Sequence, residues 1–267
     1  MRDAVASTEW PPVVVQDIPL GRTIHWHSHD ASQLAYTSEG VMTVQTETGV
    51  WVVPPQRAVW IPGGELHAIS ARRPCRMQAL YADPGIVGIS AECCVVFIDP
   101  LTRELLVEAA SFPSRYAPDG PEARLMQVIL DRLSRSAAEP LSIPRPRDER
   151  LRRLCDLLRA DVADDRTLDE LAAEVGMTSR TAARLFRKET SLTFARWRQQ
   201  IRLLSALELL GEGASVAQVA HAVGYRDVSS FIAMFRQALG TSPARYFATT
   251  DARRSPPAEV AGPAGER

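Results

Sequence analysis

Four of the chain's five histidines, His25, His27, His29 and His67, fall within its first 67 residues. On an extended segment alternate side chains share a face, so His25-x-His27-x-His29 would present three imidazoles together. Imidazole nitrogens converging in a small cavity hold a divalent transition metal such as Zn²⁺, Ni²⁺ or Fe²⁺. Gln33, four residues beyond His29, adds an amide oxygen. Such a set is neutral. Without a carboxylate to offset the ion's charge, affinity falls and no general base stands beside the metal. The same residues could instead form the hydrogen-bonded wall of an effector pocket, and both readings stand.

The second chemistry is carried by arginines in a repeat from Thr167 to Phe247. Ala172 and Gly176 recur as Ala220 and Gly224, an offset of 48, and Phe186-Arg187 recur as Phe235-Arg236, an offset of 49. Self-similarity of this length is an internal repeat. Each copy reads as a helix-turn-helix. A small residue (Ala172, Ala220) allows close helix crossing, and a glycine ends the first helix in a left-handed conformation. Met177 or Tyr225 enters the core, and an N-cap candidate follows: Thr178 or Ser179 in one copy, Asp227 in the other. Leu185 with Phe186, and Phe231 with Phe235, form the buried stripe of the second helix. Its opposite face is free to enter a DNA major groove.

In the first copy that face carries Ser179, Arg180, Ala183 and Arg184, with Arg187 and Lys188 placed for phosphates. Arginine grips guanine O6 and N7 bidentately, which makes Arg180 and Arg184 the base-reading candidates. The second copy offers Arg226, Asp227, Val228, Ser229, Ile232 and Ala233, which suit position and shape more than base identity. A helix from Phe194 to Leu210, with Trp197, Ile201, Leu204 and Leu207 inward, joins the copies. Gly240 then stops a helix and Ser242-Pro243 starts another.

These elements must be placed in a chain of 267 residues, a length that suggests two domains. The sequence predicts short strands from Val15 to Val96, including a hairpin of Val41–Thr46 and Val50–Val53, as in a barrel or jelly roll. Apolar spacing then predicts helices through Leu101–Ala109 and Leu125–Leu133. Their stripe could pack against the barrel or form a homodimer interface, and it is richer than one barrel face needs, which favours the dimer. Three prolines in residues 139–146 mark a linker. Residues 147–161 form the first helix behind it, and the Pro/Ala/Gly-rich end from Thr249 reads as a disordered tail. The fold class is α+β.

Residues 1–144 hold 11 basic against 16 acidic side chains, and residues 145–250 hold 17 against 13. A basic second half suits nucleic-acid binding by that half alone. Cys75, Cys93, Cys94 and Cys155 lack paired zinc-ligand spacing and read as reduced thiols. No apolar run reaches the roughly 18 residues of a membrane span, so a cytoplasmic protein with no membrane partner is expected.

Two resemblances follow from these residues. Gly224-Tyr225, Ser230-Phe231, Phe235-Arg236, Gly240 and Ser242-Pro243 with Tyr246 resemble the C-terminal signature of the AraC/XylS family of transcription regulators. Gly21, His27-x-His29, Gln33, Gly40 and Pro62-x-Gly64-x-x-His67 resemble the two motifs of the cupin superfamily, with Gln33 where glutamate is usual and Ala71 where asparagine is expected. Together they imply a cupin-like sensor domain (1–100), a helical dimerisation region (101–138), the linker (139–146), a double helix-turn-helix DNA-binding domain (147–248) and the tail (249–267). The implied protein is not an enzyme. It binds double-stranded DNA under control of a small-molecule or metal effector held by His25, His27, His29, Gln33 and His67, with RNA polymerase as a further candidate partner. The alternative is a metal-dependent cupin enzyme with an accessory DNA-binding domain, and Gln33 in place of glutamate counts against it.

Overall fold

The computed structural model describes residues 13–21, 23–83, 89–139 and 141–251. The lead-in before Val13 and the expected tail beyond Asp251 lie outside them. Nine strands come first: β1 (Val13–Leu20), β2 (Thr23–His27), β3 (Ser32–Thr37), β4 (Met42–Thr46), β5 (Gly49–Val53), β6 (Arg57–Ile61), β7 (His67–Ala71), β8 (Cys75–Ala82) and β9 (Cys94–Phe97). Two helices, α1 (Pro100–Ala109) and α2 (Pro121–Ser134), lead to short strands β10 (Ala138–Glu139) and β11 (Ser142–Pro144). Seven helices follow among the described residues: α3 (Glu149–Ala160), α4 (Leu168–Glu174), α5 (Ser179–Thr190), α6 (Phe194–Gly211), α7 (Val216–Ala222), α8 (Val228–Leu239) and α9 (Pro243–Asp251). No helix among the described residues is long and apolar enough to cross a membrane.

The strands form two antiparallel sheets, ordered β1-β8-β3-β6-β9-β10 and β11-β5-β4-β7-β2. Ala35, Val59, Ile61, Met77 and Ala79 of the first sheet join Met42, Val44 and Ile69 of the second in one buried cluster. The other face of the first sheet is also covered. Leu34, Tyr36, Trp60 and Leu80 pack there with Leu106 of α1 and with Met126, Ile129, Leu130 and Leu133 of α2. Burial on both faces explains why Leu34-Ala35-Tyr36 and Val59-Trp60-Ile61 are apolar without alternation. It also corrects the argument for a dimerisation stripe, because Ile129, Leu130 and Leu133 are taken up by the sheet. Only Leu101 (54% exposed), Val107 (50%) and Val128 (47%) remain outward as large apolar side chains of these helices.

The start of α1 is tied to α2 by charge. Asp99 caps α1, accepting from the Leu101 and Thr102 amides, and Arg132 of α2 donates to both Asp99 oxygens at 2.9 Å. Burial pushes the Asp99 carboxyl upward, but hydrogen bonds from Thr102 and Arg132 outweigh it and hold the group at about 2, below the ordinary 3.8. A depressed folded value stabilises above the unfolded one, so this contribution is present above about pH 3.8 and is lost as pH falls toward 2. In acid titrations followed by circular dichroism, Asp99→Asn should be less stable than the wild type near neutrality. The difference should close below about pH 2.

Residues 139–146 are not the free tether their prolines suggest. β10 pairs with β9 and β11 with β5, and the Val52 amide donates to Leu141 O at 3.1 Å. Both strands are sheet edges, where a residue without an N–H is tolerated, so Pro144 can sit in a strand.

The two helix-turn-helix copies are built from matching local devices. Thr167 with Glu170, and Ser215 with Gln218, form capping boxes at the starts of α4 and α7. Thr178, rather than Ser179, caps α5, and Asp227 caps α8. Gly176 and Gly224 both take positive φ (74° and 80°), but their surroundings differ. A Cβ at Gly176 would meet nothing within 4 Å, whereas at Gly224 it would lie 2.9 Å from Ala163 Cα and 3.0 Å from Ala163 O. Gly176→Ala should therefore cost about 1–2 kcal/mol, the left-handed term alone. Gly224→Ala should cost about 1–3 kcal/mol more, because backbone must shift to admit it. Equal losses in denaturant midpoints would refute this difference.

Candidate metal centre and nucleic-acid interface

Strands β2 and β7 are antiparallel neighbours, and His27 stands opposite His67. Their register shifts by one residue between Ile24 and His27, so alternation breaks inside β2. That bulge leaves His25 exposed and outside the cluster, a correction to the expectation that all three histidines of the segment share a face. His29, just past the strand, completes the group. Ring centroids lie 4.3 Å apart for His27–His67, 5.1 Å for His29–His67 and 5.8 Å for His27–His29. One ligand nitrogen from each of the three falls within 4.8 Å of the others.

Proton positions follow from the hydrogen bonds. His27 Nδ1 lies 2.8 Å from His25 O, His29 Nδ1 2.6 Å from Ala31 O, and His67 Nδ1 2.8 Å from Glu65 O. A carbonyl oxygen only accepts, so each Nδ1 carries a proton and each Nε2 is left to face the cluster. Backbone carbonyls hold metal-bound histidines in the same way. His67 Nε2 is buried with no hydrogen-bond partner. Burial, then the nearby His27 and His29 rings, push His67 down to about 4, against the raising effect of its bond to Glu65 O. It is therefore neutral near pH 7, and its Nε2 carries no proton for an ion to displace.

Gln33, buried on β3, reaches the cluster: its Oε1 lies 3.2 Å from His29 Nε2, and its Nε2 donates to Tyr81 OH at 3.2 Å. If His29 Nε2 is bare, two lone pairs face each other. A proton on His29 Nε2, an amide turned to present its NH₂, or a cation between the two acceptors each satisfies the contact. These donors fit a metal, and no carboxylate is among the grouped ligand atoms. Sequence reasoning missed Tyr81, which lies edge-on to His29 with centroids 5.2 Å apart. Tyr81 stands beside Gln33 through the β3–β8 pairing, and no local pattern announces that.

The far end of β7 leads to the helices. Arg72, the next residue, pairs with Glu208 at 3.5 Å and with Glu212 at 3.2 Å, and Thr43 Oγ1 donates to Glu208 at 2.7 Å. Glu208 lies on α6, the helix joining the two helix-turn-helix copies. Gly211 of α6 packs so closely on Val41 that there is no room for a Cβ.

On α5, Arg180, Arg184, Arg187 and Lys188 are exposed, while Ser179 and Ala183 are half-buried. Ala182, Leu185 and Phe186 fill its inner face. None of the four cations has an ion pair among the described residues, whereas Arg150, Arg152 and Arg166 are paired to acids. Before and along α8, Arg226, Asp227, Ser229 and Ala233 are exposed, and Val228 and Ile232 pack partly against the core. The Asp227 carboxylate accepts from the Ser230 amide at 2.7 Å and the Ser230 hydroxyl at 2.8 Å, so it serves the helix start.

The helix-turn-helix domain family model matches residues 171–249, and the AraC-like ligand binding domain model matches residues 18–92. The chain is 35% identical over 222 residues to the HTH-type transcriptional regulator NimR of Escherichia coli, covering 83% of this chain and 81% of that one. It is 41% identical over 102 residues to the transcriptional activator NphR of Rhodococcus sp, covering 38% of this chain and 30% of that one. Among solved structures it is similar to the DNA-binding domain of AdpA in complex with a target DNA, at 32% identity and a TM-score of 0.38. That likeness covers 40% of this chain and 97% of that one.

Proposed function

This chain belongs to the AraC family of helix-turn-helix transcription regulators with a ligand-binding domain, and we propose that a divalent transition metal at His27, His29 and His67 is, or anchors, its signal. The protein binds DNA through its helix-turn-helix domain. In our reading Arg180 and Arg184 read base edges, with Ser179 and Ala183 beside them and Arg187 and Lys188 on phosphates. Arg226, just before α8, and Val228, Ser229 and Ala233 on it fix position and groove shape, and Asp227 holds the start of that helix.

The observation that carries the metal reading is the convergence of one ring nitrogen from each of His27, His29 and His67 within 4.8 Å, with His67 Nε2 buried and unpaired. Gln33 Oε1 would be the fourth donor, and nitrogen-rich neutral ligands suit Zn²⁺, Ni²⁺ or Fe²⁺. Bound there, the ion would offer a Lewis-acidic position to an effector. The enzyme reading is weaker, because the grouped donors include no carboxylate to act as a base. β7 carries His67 at one end and leads into Arg72 at the other, which links the donors to α6. Leu101, Val107 and Val128 are the apolar residues on which a homodimer would close.

Coupling between sites is a difference in affinity. Affinity for a duplex enriched from a random pool should change by about 5-fold or more between Zn²⁺-loaded and chelated protein, with a smaller change in Arg72→Ala. Equal affinities in both states would remove the ion from the signalling role.

A further inference from the structure

We infer that the DNA-contact surface extends beyond the two helix-turn-helix copies into the cleft between the sheets and α5, where Arg145, Arg147 and Lys188 hold phosphates flanking the segment that α5 reads. This rests on the reading of α5 as a base-reading helix. The cleft, of about 860 Å³, is lined by the β4–β5 turn (Glu47, Thr48), Pro144 to Arg147, Arg152 of α3, and Lys188 with Glu189 of α5.

Its charges are unevenly engaged. Glu189 accepts from the backbone amides of Arg147 at 2.7 Å and Asp148 at 3.0 Å, so its carboxylate is directed at the start of α3. Arg152 is held by Glu149 at 2.6 Å. Arg145, Arg147 and Lys188 are exposed and have no ion pair among the described residues. Glu47 is the one acid lining the cleft that lacks a partner among the described residues. Arg145, Arg147 and Lys188 face two carboxylates, Glu47 and Glu189, neither of which has a cationic partner among the described residues, so the cleft keeps a net positive charge and suits a polyanion.

Position selects which polyanion. Arg180, Arg184 and Lys188 recur every four residues and share one side of α5. A rise of 1.5 Å per residue separates the first from the last by about 12 Å along the axis. That is roughly the width of the major groove. A helix whose first turns reach base edges therefore brings its last turn to the groove's phosphate border, and the cleft continues from there. Arg145 and Arg147 are not carried on a loose tether. β11 is paired to β5, and the Arg145 amide donates to Thr48 O at 2.8 Å. The second sheet thus fixes where the segment carrying these two arginines meets the DNA.

The test is the salt dependence of affinity for a duplex that the full wild-type chain enriches from a random pool. Each phosphate contact contributes about 0.9 to the slope of log affinity against log salt. The Arg145→Ala, Arg147→Ala double variant should show a slope shallower by about 1.8. Between about 50 and 200 mM salt the wild type should therefore lose roughly 12-fold more affinity than the variant. Glu47→Lys should steepen the slope, and Arg135→Ala, at the end of α2 on the opposite sheet, should leave it unchanged. A double variant with the wild-type slope would overturn the flanking contacts while leaving the α5 reading intact. A wild-type chain that enriches no duplex would overturn both.

Discussion

Arg184→Ala is expected to weaken binding to the preferred duplex by about 1–3 kcal/mol, roughly 5- to 150-fold, and to relax preference at one base pair. The side chain is exposed, and no partner among the described residues holds it, so its loss removes no internal contact. The helix beneath it is fixed independently, by the Thr178 cap and by Ala182, Leu185 and Phe186 in the core. Folding should therefore be unchanged, and the effect should appear in recognition alone. Arg187→Ala makes the contrast, because a phosphate contact costs about the same on every sequence and reduces the salt slope by about 0.9. Affinities for the enriched duplex and for single base-pair variants of it separate the two. If Arg184→Ala weakened all sequences equally, Arg184 would be a phosphate contact and base reading would rest on Arg180.

The helix-turn-helix pair was legible because its signals are local. Caps, glycine stops and the apolar stripe all act within one or two turns, so the repeat and its buried phenylalanines follow from spacing alone. What the sequence hid depends on pairing between distant strands. His25 leaves the cluster because of a bulge defined only against β7. Tyr81 joins it only through the pairing of β3 with β8. The same limit explains the linker. Proline density argues for an unpaired segment, but edge strands tolerate proline, and that β11 would find an edge is not written in residues 139–146. The apolar stripe of α2 misled for a related reason. Its sheet partners Leu34, Tyr36, Trp60 and Leu80 lie in strands whose two-sided burial shows as runs of apolar residues, and those runs were the available clue.

Protein purified without a histidine tag is expected to hold one divalent transition metal per chain, with affinity falling by more than about 100-fold in His67→Ala. Loss of an outer-shell partner alone costs 10- to 100-fold, and His67 is a proposed ligand. His67 is fully buried, its Nδ1 is fixed on Glu65 O, and its Nε2 has no other partner. A buried acceptor left unpaired costs about 1–3 kcal/mol, so an ion that occupies it stabilises the fold as well as binding. Wild-type melting temperature should therefore rise with Zn²⁺, and that of His67→Ala should not. Gln33→Glu gives the sign that separates the two readings. If the cluster holds a cation, a carboxylate there offsets charge and tightens binding. If the cluster is only a pocket wall, the wild type holds no metal, and the same change buries a carboxylate beside His29 and lowers stability in the absence of metal. Metal content and melting temperature, measured together on the three proteins, distinguish these outcomes. A metal-free wild type would turn the search for the signal to an organic molecule lying against the imidazoles.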